Sequence, residues 1–365
     1  MPTTICVLGL GYIGLPTASL LATKGYQVLG VDVNPRVVET INAGDIHIVE
    51  PELDILVRSA VGSGNLRAAV EPASSDVFII AVPTPFKDGH EPDLAYVDAA
   101  TAALAPHLRA GDLVILESTS PVGTTERVAE RLVAARPELS GADRVFVAHC
   151  PERVLPGHIL RELIENDRIV GGVDAASTER AAAFYDTFVS GEVIRTSART
   201  AEMCKLTENS FRDTNIAFAN ELSMLCAELG MDVWELIALA NRHPRVNILT
   251  PGAGVGGHCL AVDPWFIVHS APDTARLIRT AREVNDHKSE WVVQRVLDRA
   301  ARFREPVIAC LGLAYKPDID DLRESPALFI ARQLAARAEG RVVAVEPNLE
   351  HNDELIMSAI RTAAT

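Results

Sequence analysis

A glycine-rich run, residues 252–257, ends two positions before a cysteine, Cys259. Backbone N–H groups of such a run can come close to an anion, and together with the adjacent His258 they could favour the thiolate form of Cys259. A thiolate is a nucleophile that can capture an aldehyde as a thiohemiacetal, which still carries a hydride. The alternative is a buried structural cysteine, which is the role we expect for Cys6, Cys150, Cys204, Cys226 and Cys310.

A second pattern, GxGxxG, lies near the start of the chain at Gly9, Gly11 and Gly14. Its glycines permit a tight turn, close approach of a pyrophosphate, and packing of a helix on the preceding strand. Asp32 ends the next predicted strand, where a carboxylate would accept both ribose hydroxyls and repel a 2′-phosphate. This order favours dinucleotide binding, with NAD preferred, over a turn without a ligand. Nicotinamide chemistry combined with a thiol suggests an alcohol that is oxidised twice, to a carboxylate.

Short apolar runs alternate with helical patterns over the first part of the chain. Runs that are apolar throughout predict parallel strands covered on both faces, and their alternation with helices predicts a doubly wound sheet. The strands are predicted at 4–8, 27–31, 77–82, 113–117 and 145–148, with a helix at 14–24. Segments 81–85 and 117–123 follow strand ends and would face the cofactor crevice, although their Pro, Ser and Gly residues fit ordinary turns equally well.

From about residue 200 the pattern becomes helical, with helices predicted at 200–229, 233–241 and 274–302. Their length and apolar surface predict a dimer core. A buried strand at 307–313, a helix at 326–338 capped by Ser325, and a strand at 341–345 begin a second α/β unit, with room for one more helix. The fold class is therefore α/β, with a Rossmann-type domain at 1–195, a central all-helical dimerisation domain at 196–302 and an apparently truncated Rossmann-like domain at 303–365.

Lys205, Asn209 and Arg212 follow one another at helical spacing and share one face of the long helix. A solvated charged face is an equally good explanation for such a set. Asp263, four residues after Cys259, could orient a water or share a proton with Lys205.

Two loops carry cations that could bind phosphate. His243 and Arg245 precede the glycine run, and Lys316 and Arg323 follow the strand at 307–313, at the mouth of a nucleotide-type sheet. For both loops an ordinary solvated surface remains open.

Composition narrows the function classes. The formal net charge of −15 argues against nucleic acid and anionic membranes as partners. No apolar run reaches the roughly 18 residues that span a bilayer, and the start of the chain lacks a signal-peptide pattern. The cysteines are scattered, so we expect neither a metal site nor a disulfide framework, and a reducing cytoplasm fits.

Long motifs in the same order give the chain its resemblance to a known family. They are GLGYIGLPTA, AVPTPF, ILESTSPVGTTE, CPERVLPGH, TAEMCKLTENSFRDTNIAFANEL, NRHPRVNIL, PGAGVGGHCLAVDPWF and AYKPDIDDLRESPA. The chain resembles the UDP-glucose/GDP-mannose dehydrogenase family along nearly its whole length. In that family the C-terminal domain continues with further strands, which this chain is expected to lack.

The resemblance implies a role for each matching residue. Cys259 would be the nucleophile that carries a thiohemiacetal and then a thioester, and Lys205, helped by Asn209, would be the acid/base. Asp263 and Thr119 would hold a catalytic water, and Glu152 would assist thioester hydrolysis. NAD would be bound by Gly9, Gly11, Tyr12, Ile13, Gly14, Asp32, Thr84, Thr119 and Thr125. The sugar nucleotide would contact Arg153, Val154, Lys205, Asn209, Arg212, His243, Arg245, Gly256, Tyr315, Lys316 and Arg323.

The implied reaction is a four-electron, NAD-dependent oxidation of the C6 hydroxyl of a UDP-hexosamine, without a metal. Segments 150–154 and 243–245 are most similar to those of family members that act on UDP-N-acetyl-D-mannosamine, with UDP-GlcNAc or UDP-glucose as alternative substrates. Two other readings stay open. One is a two-electron β-hydroxyacid dehydrogenase, which needs a lysine but no cysteine. The other is a truncated, catalytically silent NAD-binding dimer.

Overall fold

A computed structural model describes residues 3–48, 50–155, 157–257, 259–316 and 321–347. Residue contacts divide the chain into two compact units, the first ending at Leu206 and the second beginning at Thr207. One long helix continues across this boundary. The predicted boundaries of three domains stay a prediction.

The first unit is built on an eight-stranded sheet with the order β3-β2-β1-β4-β5-β6-β7-β8. Every neighbouring pair is parallel except β6 and β7, which run antiparallel. Strand β1 pairs with β2 on one side and with β4 on the other, so that Ile5 lies opposite Val28 and Val77. The strands are β1 Thr4–Leu8, β2 Gln27–Val31, β3 Leu66–Ala69, β4 Val77–Ile80, β5 Leu113–Leu116, β6 Phe146–His149, β7 Arg168–Gly172 and β8 Val193–Ser197.

Helices cover both faces of this sheet. Alternate residues of β1 enter different cores: Ile5 and Val7 pack in one buried cluster, and Cys6 and Leu8 in another. Burial on both faces explains why the strand is apolar from Ile5 to Leu8. The predicted Rossmann-type doubly wound fold is confirmed. The helices are α1 Gly14–Thr23, α2 Pro35–Asn42, α3 Leu53–Gly62, α4 Ala95–Leu104, α5 Thr124–Ala135, α6 Ile159–Glu165 and α7 Ala175–Tyr185.

The next part of the chain is helical, as predicted. It contains α8 Ala198–Leu229, α9 Val233–Ala240, α10 Asp263–Ser270 and α11 Arg276–Ala300. Gly230 adopts φ +70° just after α8, a conformation that glycine adopts without strain. Asp232 caps α9 by accepting hydrogen bonds from the backbone N–H groups of Trp234 and Glu235.

The second unit ends in a two-stranded parallel sheet, with β9 Val307–Leu311, α12 Pro326–Arg337 and β10 Arg341–Val345. Ser325 caps α12 as predicted, because its hydroxyl accepts from the N–H of Leu328. The prediction of a buried strand at 307–313 was wrong in length and burial. Side chains of β9 pack on α11 and α12 on one face, but Val307 and Leu311 are 68% and 80% exposed. The further predicted helix falls after Pro347, outside the described residues.

No helix in the described ranges combines the length and the apolar character that crossing a membrane requires.

Candidate active site

The glycine turn before α1 has the close packing that a dinucleotide fingerprint requires. A Cβ on Gly14 would lie 1.8 Å from the carbonyl oxygen of Gly9, and a Cβ on Gly9 would lie 2.5 Å from that of Ala81. At Gly11, in contrast, a Cβ would meet nothing within 4 Å. Gly9 and Gly14 therefore serve internal packing, while the backbone at Gly11 is open to a ligand.

Asp32 lies at the end of β2 with both carboxylate oxygens oriented by backbone groups. The N–H of Leu10 donates to Oδ2 at 3.1 Å, and the N–H of Asn34 donates to Oδ1 at 2.9 Å. Each oxygen keeps capacity for a further hydrogen bond, which a ribose diol could supply. Glycine turn, open backbone and oriented acid together fit NAD. Tyr12 and Ile13, in the same turn, are half-buried.

His47 is a neighbour of this acid that the motifs did not indicate. Burial lowers the pKa of His47, although the charge of Asp32 opposes that shift. The imidazole is therefore neutral at pH 7. No spacing rule links a histidine fifteen positions after the acid to a ribose site.

The loops after β4 and β5 meet at the carboxyl end of the sheet, as predicted for open α/β sheets. The hydroxyl of Thr84 donates to the carbonyl oxygen of Thr119 at 2.5 Å, and that of Ser118 donates to Val82 at 2.7 Å. The structure thus brings two of the predicted NAD residues together.

Thr125, also predicted to contact NAD, is fully buried at the start of α5 and bonds to Glu202. The Glu202 carboxylate accepts from the N–H of Gly123 at 2.6 Å, the N–H of Thr125 at 2.7 Å and the Thr125 hydroxyl at 2.6 Å. Burial raises the pKa of Glu202, and these donors offset part of the shift. A protein carboxylate therefore occupies the helix N-terminus, and sequence reasoning missed it.

Glu152, the predicted hydrolysis residue, is buried in an ion pair. The Arg168 guanidinium donates from Nη1 to Glu152 Oε2 at 2.8 Å, and the N–H of Arg153 donates to Oε1 at 2.6 Å. Val154 is half-buried against the core of the first unit. Arg168 was not among the predicted residues, because it lies at the start of a strand that the apolar pattern did not reveal.

In the second unit the structure joins three of the predicted catalytic residues. The backbone N–H of Asp263 donates to the carbonyl oxygen of Cys259 at 2.8 Å, which places both residues in the turn that starts α10. The Asp263 side chain is buried, and its Oδ2 accepts from the Asn209 amide at 2.5 Å. Cys259 is half-buried, whereas burial raises the pKa of Cys6 and Cys150 to about 12 and keeps those thiols protonated.

The glycine run packs closely against the segment that follows β9. A Cβ on Gly256 would lie 2.8 Å from the Cβ of Tyr315, and one on Gly257 would lie 2.8 Å from the Tyr315 ring. The N–H of Gly257 donates to the carbonyl oxygen of Arg323 at 3.1 Å. Predicted substrate residues Gly256, Tyr315 and Arg323 are therefore neighbours, and glycine is required there for close approach.

A buried polar network holds the other end of this run. The N–H of Gly252 donates to Asn220 Oδ1 at 2.8 Å, and Asn220 donates to Asn285 at the same distance. Asn285 and Arg282 both donate to the Asp213 carboxylate. Helices α8 and α11 thus fix the position of the glycine run.

The remaining predicted substrate residues are more dispersed. Lys205 is half-buried on α8, and Arg212, His243, Arg245 and Lys316 are exposed. The backbone N–H of Arg245 donates to His243 Nδ1 at 3.3 Å, which orders that loop locally. Within the described ranges no group of three or more His, Cys, Asp or Glu could hold a metal ion.

Comparison with known proteins gives matches along most of the chain. The NAD binding domain of the UDP-glucose/GDP-mannose dehydrogenase family matches residues 3–189, its central domain 199–287, and its UDP binding domain 309–364. The chain belongs to this family. It is therefore an NAD-dependent UDP-sugar dehydrogenase, and the predicted family, enzyme class and cofactor are confirmed.

Individual relatives cover most of the chain. An NDP-N-acetyl-D-galactosaminuronic acid dehydrogenase from Ralstonia nicotianae is 62% identical over 353 residues, which is 95% of this chain and 84% of the relative. A UDP-N-acetyl-D-mannosamine dehydrogenase from Yersinia pestis is 58% identical over 371 residues, covering 98% and 88%. A UDP-D-ManNAc dehydrogenase from Pyrococcus horikoshii has a solved structure with TM-score 0.89 and 44% identity, covering 95% and 84%.

Proposed function

We propose that this enzyme oxidises the C6 hydroxyl of UDP-N-acetyl-D-mannosamine to the carboxylate through a covalent intermediate on Cys259. The family supplies the reaction class, and relatives at 58–59% identity carry the name of this substrate. The observation that carries the chemistry is the turn at the start of α10. There Asp263 bonds to the backbone of Cys259 and to the side chain of Asn209.

When bound, NAD accepts a hydride in each of two successive oxidations. Gly9, Gly11, Tyr12, Ile13, Gly14, Asp32, Thr84, Thr119 and Thr125 are the residues assigned to hold it. The oriented Asp32 carboxylate and the open backbone at Gly11 support this assignment.

The chain's own residues handle the protons and the acyl group. Lys205 takes the proton of the C6 hydroxyl in the first oxidation, with Asn209 beside it on the helix. The Cys259 thiolate then adds to the aldehyde carbon, and Lys205 protonates the oxygen to give the thiohemiacetal. In the second oxidation Lys205 takes the hydroxyl proton of the thiohemiacetal as the hydride leaves its carbon, which gives a thioester on sulfur.

Hydrolysis completes the reaction with one water. Asp263 and Thr119 orient that water, and Glu152 takes its proton as the C–O bond forms and the C–S bond breaks. The carboxylic acid leaves and Cys259 is regenerated as the thiolate. The balance is one alcohol, one water and two NAD⁺ consumed for one carboxylic acid, two NADH and two protons, which leave through Lys205 and Glu152.

The stoichiometry of the purified enzyme tests this proposal. We expect two NADH per UDP-N-acetyl-D-mannosamine consumed, and we expect Cys259→Ser to lose acid formation. The control is Cys226→Ser, which changes a buried thiol on α8 and should keep acid formation. One NADH per sugar, with activity retained in Cys259→Ser, would instead indicate a two-electron β-hydroxyacid dehydrogenase.

The sugar is proposed from the names of relatives, and those names differ. The Ralstonia relatives carry the name NDP-N-acetyl-D-galactosaminuronic acid dehydrogenase, at 61–62% identity. Comparing kcat/KM for UDP-ManNAc, UDP-GalNAc, UDP-GlcNAc, UDP-glucose and GDP-mannose decides among them. We expect UDP-ManNAc to have the highest value, and a higher value for any other sugar would refute this part of the proposal.

We assign the nucleotide to three residues of the second unit that lie close together and to eight further residues. Contacts among Gly256, Tyr315 and Arg323 support this, and the remaining members are Arg153, Val154, Lys205, Asn209, Arg212, His243, Arg245 and Lys316. UDP should therefore bind in competition with the substrate. An absence of UDP binding at millimolar concentration, with NAD still bound, would favour the catalytically silent alternative.

We propose that the enzyme is a homodimer that pairs through α8. Phe211, Phe218 and Leu225 lie seven residues apart on this helix and are 69%, 54% and 44% exposed. Such a stripe on one helix face suits a helix–helix interface. Phe218→Asp should reduce the mass seen by sedimentation to that of one chain, whereas Ile55→Asp, an exposed apolar position on α3, should not.

A cytoplasmic location and the three domains at 1–195, 196–302 and 303–365 are also part of the proposal. None of the six cysteines, all of which lie in the described ranges, forms a disulfide, which suits a reducing compartment. Limited proteolysis that cuts near residues 195 and 302 would support the boundaries.

A further inference from the structure

A chain of buried polar side chains links Glu152 to a second carboxylate, Glu117. The Arg168 guanidinium bonds to Glu152 and lies over the Tyr185 ring, 5.7 Å from its centroid. The Tyr185 hydroxyl donates to Glu117 Oε1 at 2.6 Å. Glu152 and Glu117 therefore lie in one buried cluster with a single cation, Arg168. Glu152 has an assigned role in hydrolysis, and Glu117 has none.

The hydrogen bonds around Glu117 do not suit a permanent charge. This carboxyl follows β5 and is 2% exposed, and the Tyr185 hydroxyl donates to one of its two oxygens. Its Oε2 is buried and has no hydrogen-bond partner among the described residues. An ionised carboxylate has about four acceptor sites to satisfy, so this environment favours a protonated carboxyl.

The groups that face Glu117 come from every element packed around it. Tyr185 lies on α7, Arg168 on β7, and Cys150 and Glu152 follow β6. Burial, and then repulsion by Glu152, raise the pKa of Glu117 to about 7, although Arg168 opposes the shift. Burial raises the pKa of Tyr185 well above its usual value, so it stays protonated with Cys150.

The adjacent His149 adds no charge to this cluster. It is fully buried, and burial lowers its pKa to about 3. The charge of the cluster near pH 7 therefore depends on whether Glu117 holds its proton.

We propose that Glu117 is a positioning residue: its charge, placed beside Arg168, sets how strongly Glu152 attracts the proton of the hydrolytic water. When Glu117 is neutral, Glu152 is the one carboxylate of this cluster that neutralises Arg168. The ion pair then stabilises the negative charge of Glu152 and makes the carboxylate a weaker base. When Glu117 ionises, its added negative charge draws a proton onto Glu152, which is the transfer that thioester hydrolysis requires. This inference rests on the proposed function and adds a residue to its last step.

The test compares wild type with Glu117→Gln, which keeps the shape of the neutral carboxyl but cannot ionise. We measure steady-state kcat and the initial burst of NADH from pH 6 to 9. The wild-type kcat should rise through pH 7, and Glu117→Gln should lack that rise and be about tenfold slower at pH 8.5, the factor that one pKa unit represents. Glu117→Asp should restore the rise.

Two controls separate the possible failures. Glu138→Gln removes an exposed carboxylate that pairs with Arg136, and its kcat profile should match wild type. Tyr185→Phe removes the donor to Glu117, so the rise should move to higher pH. A merely structural role of Glu117 would lower kcat equally at every pH.

The NADH burst tests the proposed four-electron oxidation, and the pH profile of kcat tests the role of Glu117. A burst of two NADH per active site with identical kcat profiles for wild type and Glu117→Gln would overturn the role of Glu117 alone. A burst of one NADH, or none, in wild type would overturn the proposed function instead.

Discussion

The cap that Glu202 places on α5 gives a stability prediction whose size follows from its hydrogen bonds. Replacing Glu202 with Ala leaves two backbone N–H groups and one hydroxyl buried without their acceptor. A hydrogen bond to a charged group contributes roughly 1.5–3 kcal/mol, so three of them represent at most about 9 kcal/mol. Burying the carboxylate costs part of this, as the raised pKa of Glu202 indicates.

The net loss expected for Glu202→Ala is therefore about 3–5 kcal/mol, the range for breaking a buried charged interaction. Urea unfolding of the first unit, followed by circular dichroism, measures it. Glu202→Gln keeps one carbonyl acceptor and should lose about half as much. Glu130→Gln, an exposed glutamate on α5, is the matched control and should change stability by under about 0.5 kcal/mol. A loss below about 1 kcal/mol in Glu202→Ala would refute the reasoning.

Three further predictions concern a close backbone contact, a buried ion pair and a buried carboxyl. Gly14→Ala should raise the Kd for NAD at least about tenfold in calorimetry, because its Cβ would lie 1.8 Å from the Gly9 carbonyl oxygen, and an unchanged Kd would contradict this. Arg282→Met leaves the buried Asp213 charge uncompensated and should cost about 3–5 kcal/mol in urea unfolding, a cost that adding Asp213→Asn should partly remove. Glu117 is protonated in both folded and unfolded chains below pH 4.5, but between pH 4.5 and about 7 only the unfolded chain ionises. The free energy of unfolding should thus fall by up to about 3 kcal/mol over that window in wild type, and the same fall in Glu117→Gln would contradict the assignment.

The parts of the fold that were predictable are those where local sequence and burial agree. The strand Thr4–Leu8 and the strand Gln27–Val31 were predicted with their observed bounds, because after the first residue every position is buried and carries no polar side chain. Strand β7 was missed, since it begins with Arg168, whose charge is buried only because Glu152 neutralises it. A partner sixteen residues away leaves no periodic signal.

In the candidate site, too, the features carried by local sequence were predictable and those that depend on distant partners were not. The glycine turn and Asp32 are contiguous signals with a known spacing, so they were predictable. Glu202 was not, because its partner Thr125 lies 77 residues earlier in the chain. Helix α10 left a signal that could have been used, since Asp263 and Pro264 are typical first residues of a helix.

The central claim is that the sulfur of Cys259 carries the acyl group between the second oxidation and hydrolysis. Glu152→Gln, which removes the base, should let the thioester accumulate when the enzyme is mixed with NAD and UDP-N-acetyl-D-mannosamine and quenched with acid. Peptide mass mapping should then find the sugar-nucleotide acyl group on the peptide that contains Cys259. If two NADH form per sugar while Cys259 stays unmodified, or if the acyl group is found on another residue, the account is wrong.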